Sequence, residues 1–306
     1  MIVLDRTFQT LGLALLGVVA FAQIKPSSPE PIENVRARET AFYIDKAHQR
    51  SQFDGVIIGD SRALRGVSTE ALADELPNLR IYNFAFNSAG LGDLLYREGE
   101  KLLDPASSAQ FVVLAPTTLT FQPWKRANEM FHEYRNKARD QVWLYQNLPT
   151  LAEHLQPLSP SIYIRRAYDI RPAKLLEQDF RPDGWIATRQ MPVDDPSELA
   201  KHREYLAGNV IDPVLVQEMM SQTRAWTARG IRVFAFAPPA DRTRLAMEDS
   251  VLGFDWQGFR ESFVAAGGRW LEVSASDLKT YDGSHLDADS ARRMSRILAR
   301  EIAKAW

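Results

Sequence analysis

The sequence predicts an α/β fold in which a five-stranded parallel sheet lies between two layers of helices, a three-layer sandwich. Three observations lead there. Five short runs rich in β-branched and aromatic residues are bounded by turn residues. They alternate with stretches of helical periodicity, the order that parallel strands and crossover helices require. The runs are almost continuously apolar instead of alternating, which suits strands covered on both faces.

The first strand is expected at Gly55-Val56-Ile57-Ile58 and stops at Gly59-Asp60-Ser61-Arg62, with a helix near Thr69 to Glu75 behind it. The second, Arg80 to Phe84, leads through Asn87-Ser88-Ala89-Gly90 into a helix from Asp93 to Leu103. The third, Phe111 to Leu114, runs into Ala115-Pro116-Thr117-Thr118. The fourth, Ile231 to Phe236, lies between helices at Pro213 to Arg229 and Trp256 to Ala266, and the fifth is Trp270 to Val273. A last helix runs from about Ala288 to Ala305 behind Asp287 as N-cap, with Ala291, Met294, Ile297, Leu298 and Ile302 as one apolar stripe. Ligands of such sheets bind beyond the carboxyl ends of the strands, and Ser61, the Asn87 to Gly90 loop and Thr117 to Thr118 all fall there.

Residues 121–212, between the third and fourth strands, greatly exceed the few-residue connections usual in α/β units, so they must carry structure of their own. This insertion is aromatic (Phe121, Trp124, Phe131, Tyr134, Trp143, Tyr145, Tyr163, Tyr168) and basic (Arg126, Arg135, Arg139, Arg165, Arg166, Arg171). Most of the aromatics are expected to pack a small core belonging to the insertion. Because it leaves the sheet edge that bears the candidate site, it can also wall that site, and flat aromatic faces suit stacking on sugar rings. Trp124 and Trp185 are the candidates for that role, Trp185 through an exposed turn at Phe180-Arg181-Pro182-Asp183-Gly184-Trp185.

At 306 residues, 45% hydrophobic and 25% charged, the chain can bury a substantial core. A net charge of -2 gives no electrostatic reason to propose nucleic acid. There is no cysteine, and His48, His132, His154 and His202 are scattered, so a metal site has little support and nothing calls for a cofactor. From Leu11 to Ala22 the chain is uncharged and almost wholly apolar, preceded by Arg6 and followed by a Pro/Ser/Glu stretch. That run is short for a span of about 20 apolar residues, and Ala20-Phe21-Ala22 has the form of a cleavage site. Residues 1–24 are therefore expected to be a signal peptide or a signal anchor, 25–40 a linker and 41–306 the folded domain. Both readings put that domain in the periplasm or outside the cell, secreted or anchored to the inner membrane.

Two stretches at opposite ends of the domain carry chemistry: Gly59-Asp60-Ser61 and Asp282-Gly283-Ser284-His285. A hydroxyl is a weak nucleophile until a neighbouring base takes its proton, and the base works best when a third group fixes its tautomer. Ser61, His285 and Asp282 can fill those roles. An aspartate three residues before the histidine reaches the other ring nitrogen if the segment turns, and Gly283 permits the turn.

This pair of motifs resembles the SGNH, or GDSL-type, hydrolase superfamily, which has a Gly-Asp-Ser block after its first core strand and an Asp-x-x-His block before its last helix. The resemblance implies a flavodoxin-like sheet, with Ser61 as nucleophile, His285 as base and Asp282 as its orienting partner. It also implies an oxyanion hole in which a glycine amide and an asparagine side chain join the serine amide. Gly90 or Ser88 stands for that glycine. The family's Gly-x-Asn-Asp is replaced by Ala115-Pro116-Thr117-Thr118, leaving Thr117, Thr118 or Asn87 as alternative donors. Such departures recur in the branch that acetylates envelope polysaccharides. The resemblance therefore implies O-acetyl transfer to cell-envelope or exopolysaccharide sugars, with a membrane-bound acyltransferase as partner. An esterase or deacetylase using water is the alternative, and a non-catalytic glycan-binding or scaffold protein of a polysaccharide export system is a third.

Overall fold

The expected strand at Gly55-Val56-Ile57-Ile58 lies inside the sheet, and its Val56, Ile57 and Ile58 have no exposed side chain, so each of the three contributes roughly 1.5–3 kcal/mol of apolar burial. The computed structural model describes residues 35–148, 175–191, 198–273 and 277–306, together with 13, 14, 17, 164 and 168. The rest of the expected segment 1–24, the linker as far as residue 34, and Tyr163, Arg165, Arg166 and Arg171 lie outside the described residues. Among the described residues no helix is long and apolar enough to cross a membrane.

Helix α1 (Val35–Ala47) leads to β1 (Gly55–Gly59), α2 (Ser61–Gly66), α3 (Thr69–Glu75), β2 (Ile81–Asn83), α4 (Asp93–Glu100) and β3 (Phe111–Ala115). The insertion holds two 3-10 turns (Thr118–Phe121 and Pro123–Ala127), α5 (Glu129–Arg135), α6 (Arg139–Asn147), a hairpin of β4 (Leu175–Phe180) and β5 (Ile186–Met191), and α7 (Glu198–Leu206). The chain returns through α8 (Pro213–Ala228), β6 (Arg232–Ala235), α9 (Arg242–Leu252), α10 (Trp256–Ala265), β7 (Arg269–Trp270) and α11 (Ala288–Lys304).

The sheet order is β2-β1-β3-β6-β7 and every pair is parallel, with β1 and β3 in register from Gly55↔Phe111 to Gly59↔Ala115. Helix α11 packs on α2 and α3, while α4 packs on β1 and α8. The expected three-layer sandwich is thus the observed fold. Asp287 caps α11 by accepting the Ser290 amide at 2.7 Å. The α11 stripe of Ala291, Met294, Leu298 and Ile302 is buried as expected, whereas Ile297 is only half-buried.

Several boundaries differ for local reasons. The edge strand β7 has two residues instead of four, and only the Leu271 amide, donating to the Ala235 carbonyl at 2.7 Å, carries the pairing further. Helix α4 stops at Glu100 because the Leu102 and Leu103 amides turn tightly onto Gly99 and Glu100. Helix α9 is absent from the expected elements because it buries only Met247, Leu252 and the charged Glu248, which makes no apolar stripe. Its caps are plain nonetheless: Asp241 accepts the Thr243 and Arg244 amides, and Gly253 ends it at φ +61°.

The insertion is closed at its base, where the Asp212 amide donates to the Phe121 carbonyl at 2.7 Å and Arg126 pairs with Asp212. Among the described residues its aromatics do not form a separate core: Phe131 and Tyr134 pack on Phe86 and Tyr43, within the cluster that covers the sheet. The expectation of an exposed turn presenting Trp185 is overturned. The hairpin tip docks on β2, with the Asn83 amide donating to the Asp183 carbonyl at 2.9 Å and Lys46 Nζ donating to the carbonyls of Asn83 and Gly184. Gly184, at φ +88°, lies so close that a Cβ there would sit 2.1 Å from the Asn83 oxygen. Trp185 is consequently fully buried, its indole donating to the Arg65 carbonyl at 2.9 Å. An Asp-Gly turn encodes a reversal of direction, not what covers it.

Candidate active site

Strand β1 delivers Ser61 to the sheet's carboxyl edge through a tight turn. Gly59 is required there, because a Cβ would lie 2.6 Å from that of Ala63 and 2.9 Å from that of Ala115. Asp60 then caps α2 by accepting the Arg62 amide at 2.9 Å, and its second oxygen accepts the Thr117 hydroxyl at 2.8 Å. Asp60 is thereby committed to holding β1 and the post-β3 loop together, and Ser61 starts the helix.

The other motif arrives just before α11. Gly283 takes φ +76°, and Asp282 Oδ1 accepts the amides of Ser284 at 2.9 Å and His285 at 2.7 Å. That turn brings Asp282 Oδ2 to 2.6 Å from His285 Nδ1 and His285 Nε2 to 2.8 Å from Ser61 Oγ. An ionised carboxylate can only accept, so Nδ1 carries the ring proton and Nε2 is left to accept the serine hydroxyl. This is the tautomer a general base needs. Tyr281 stacks on the imidazole at 5.7 Å. The His285 and Asp282 side chains keep 18% and 23% of their surface, so a substrate can reach them.

Electrostatics favour the protonation states that a serine-histidine-aspartate triad would need. Burial lowers the His285 pKa below its ordinary 6.5, and the Arg65 and Arg62 charges lower it further, against the opposing pull of Asp282. Burial alone would raise Asp282, but its bonds to the His285 ring and to the His285 and Ser284 amides hold it down to about 2. A base that must be neutral and has a lowered pKa stays competent into mildly acidic solution. The kcat/KM for p-nitrophenyl acetate should be level near neutrality and decline only below pH 6.5. An acid limb centred above that value would contradict the assignment of His285.

Of the oxyanion candidates, three are committed elsewhere. The Gly90 amide donates to Asn128 Oδ1 at 3.0 Å, and a Cβ at Gly90 would lie 2.5 Å from the Lys125 oxygen. Its glycine therefore serves close packing. Asn87 is held at both ends, donating to Tyr43 Oη at 2.7 Å and accepting from Arg65 Nη1. Thr117 is spent on Asp60 and on a reciprocal cap with Thr120. Ser88 and Thr118 donate no hydrogen bond to another described residue. Ser88 has φ +54°, the left-handed region where glycine is cheapest. It is therefore Ser88, not Gly90, that occupies the glycine-like turn. Thr118 lines a cavity of about 350 Å³ with Arg62, Pro116, Pro238 and Trp256.

On the Ser88 side a second cavity, of about 230 Å³, is lined by Asn87, Ser88, Trp124, Lys125 and Asn128 among others. Trp124 is 45% exposed at this cavity, edge-on to Tyr205, itself 57% exposed, with ring centres 6.4 Å apart. Lys125 Nζ lies 4.4 Å from the Trp124 ring centre. Of the two tryptophans considered from sequence, Trp124 is therefore exposed in the cavity that Ser88 also lines, and Trp185 is buried.

Sequence reasoning passed over Arg65, Arg62 and Tyr43. Arg65 had a usable signal, since it follows Ser61 by four residues and so shares its helical face. Tyr43 comes from α1, an element that is not among those expected from the sequence. The chain matches no protein-family model, and no curated protein is similar to it at a significant level.

Proposed function

We propose that this chain is a serine-dependent acyltransferase of the SGNH type, moving an acyl group through Ser61 to a hydroxyl of a cell-envelope or exopolysaccharide sugar. The observation that carries the reading is the continuous hydrogen-bonded chain Asp282-His285-Ser61, at 2.6 and 2.8 Å, drawn from two distant parts of the sequence. In the first half-reaction Ser61 Oγ attacks the acyl carbonyl while His285 Nε2 takes its proton. The tetrahedral intermediate collapses as the donor's oxygen leaves with that proton. In the second half-reaction His285 deprotonates the acceptor hydroxyl, which attacks the acyl-serine and releases the product ester and Ser61. Water in place of the sugar makes the same enzyme an esterase.

Transfer is favoured over hydrolysis by the exposed Trp124 and Tyr205 rings beside the Ser88 loop, which offer an acceptor sugar an apolar face. The apolar stretch from Leu11 to Ala22 supports an exported protein whose donor is a membrane-bound acyltransferase. The test is to supply p-nitrophenyl acetate with and without polysaccharide and to measure both acetylated polymer and free acetate. Trp124→Ala should lower polymer acetylation about three- to tenfold, the worth of roughly 0.5–1.5 kcal/mol of ring contact, and leave release of p-nitrophenol within about twofold. Equal losses on both would assign Trp124 to the fold, and acetate without acetylated polymer would make the protein an esterase.

A further inference from the structure

Glu248 of α9 has no exposed surface, and one of its oxygens gathers three side chains. Arg62 Nη2 donates to Oε1 at 2.6 Å, His202 Nε2 lies 3.1 Å from the same atom and Arg244 Nε 3.4 Å. The other oxygen, Oε2, is buried without a partner. Burial would raise the Glu248 pKa, but His202 and Arg62 outweigh it and hold the carboxyl below its ordinary range.

The two arginines then reach the turn that carries the base and its carboxylate. Arg62 Nε donates to Ser284 Oγ at 3.1 Å, and Arg244 Nη1 donates to the Asp282 carbonyl at 3.0 Å. Between them the Asp241 amide, at the cap of α9, donates to the Gly283 carbonyl at 2.9 Å. Three successive residues of the catalytic turn are thus held from outside it. Buried ion pairs contribute little net stability compared with apolar packing of the same volume. What this cluster supplies that apolar packing could not is direction, since each guanidinium is aimed from Glu248 at one atom of the turn. His202 belongs to α7 of the insertion, so the cluster also joins the insertion to the triad.

We propose that Glu248 is a positioning residue for the triad, fixing Arg62 and Arg244 and through them the Asp282-Gly283-Ser284 turn, and that His202 makes this clamp depend on the seating of α7. The proposal rests on the triad reading above only in that the positioned groups are the reacting ones. The charges facing His285 are Asp282 from its own turn and Arg62 and Arg65 from α2, with Tyr281 stacked on the ring. Removing the Glu248 charge leaves Arg62 uncompensated and loosens Asp282, and both changes disfavour the imidazolium.

Glu248→Gln in the full chain keeps the shape and removes the charge. The expected result is a kcat on p-nitrophenyl acetate lowered about ten- to a hundredfold, since a misplacement of about 1 Å costs on that order. KM should stay within about twofold, and the acid limb should move to lower pH. By proton NMR, the low-field resonance of the His285 Nδ1 proton should weaken or shift in Glu248→Gln. His202→Ala should lower kcat by a smaller factor that His202→Gln, which keeps a donor, restores. A folded Glu248→Gln protein with wild-type kcat, acid limb and His285 resonance overturns the proposal. If that variant does not fold, Ser284→Ala decides, since it removes only the acceptor of Arg62 Nε: a lowered kcat or an altered resonance supports the clamp, and wild-type values overturn it. Absence of Ser61-dependent turnover in the wild-type protein would instead defeat the functional reading, and the His285 resonance would still decide whether Glu248 positions the ring.

Discussion

Purified Ser61→Ala protein should lose roughly 10⁴- to 10⁶-fold of its kcat on p-nitrophenyl acetate, the range seen when the nucleophile of a triad that acts as a unit is removed. The expectation rests on the 2.8 Å contact between Ser61 Oγ and His285 Nε2; among the described residues no other hydroxyl is hydrogen-bonded to that ring. Ser61 opens a short helix whose cap is provided by Asp60, so losing one hydroxyl should leave the melting temperature within a few degrees. Intact wild-type protein quenched early should carry the mass of one acetyl group on the peptide containing Ser61, and the variant none. Activity unchanged in the folded variant would falsify the assignment of the nucleophile.

The central sheet is legible in the sequence because strands buried on both faces have to be apolar throughout, and Val56-Ile57-Ile58 and Phe111-Val112-Val113-Leu114 leave no other reading. The triad is legible for a related reason: Gly59 and Gly283 mark the sharp turns that expose a serine and aim an aspartate at a histidine. What is not legible is what depends on packing between distant segments. Trp185 follows an Asp-Gly turn like any exposed hairpin, and only the docking of that turn on Asn83 and Lys46 buries it. Gly90 looks like an oxyanion amide until Asn128, remote in sequence, claims its N–H. Helix α9 escapes notice because its buried face centres on a charge, Glu248, whose partners lie on α2 and in the insertion. Periodicity finds apolar faces. It has no means of finding a polar one.

Asp282→Asn should produce the second large effect, a folded protein slowed on the order of 10⁴-fold, the cost of the wrong histidine tautomer in a serine-histidine-aspartate triad. The asparagine oxygen can still accept the amides of Ser284 and His285, which Asp282 Oδ1 accepts at 2.9 and 2.7 Å, so the turn and Gly283 conformation should persist. Its amide nitrogen, however, then faces His285 Nδ1 at the position of Oδ2, now 2.6 Å away. A donor there forces Nδ1 to accept and moves the ring proton to Nε2, where it meets the Ser61 hydroxyl. The serine loses its acceptor although every heavy atom is nearly in place, which separates this result from a collapse of the site. Combining Asp282→Asn with Ser61→Ala should be no worse than Ser61→Ala alone, because the carboxylate acts only through the histidine on that oxygen. The check is kcat with p-nitrophenyl acetate in the single and double variants, beside melting temperatures. Full additivity, or a single variant within tenfold of wild type, would mean that Asp282 shapes the turn and does not set the tautomer of the base.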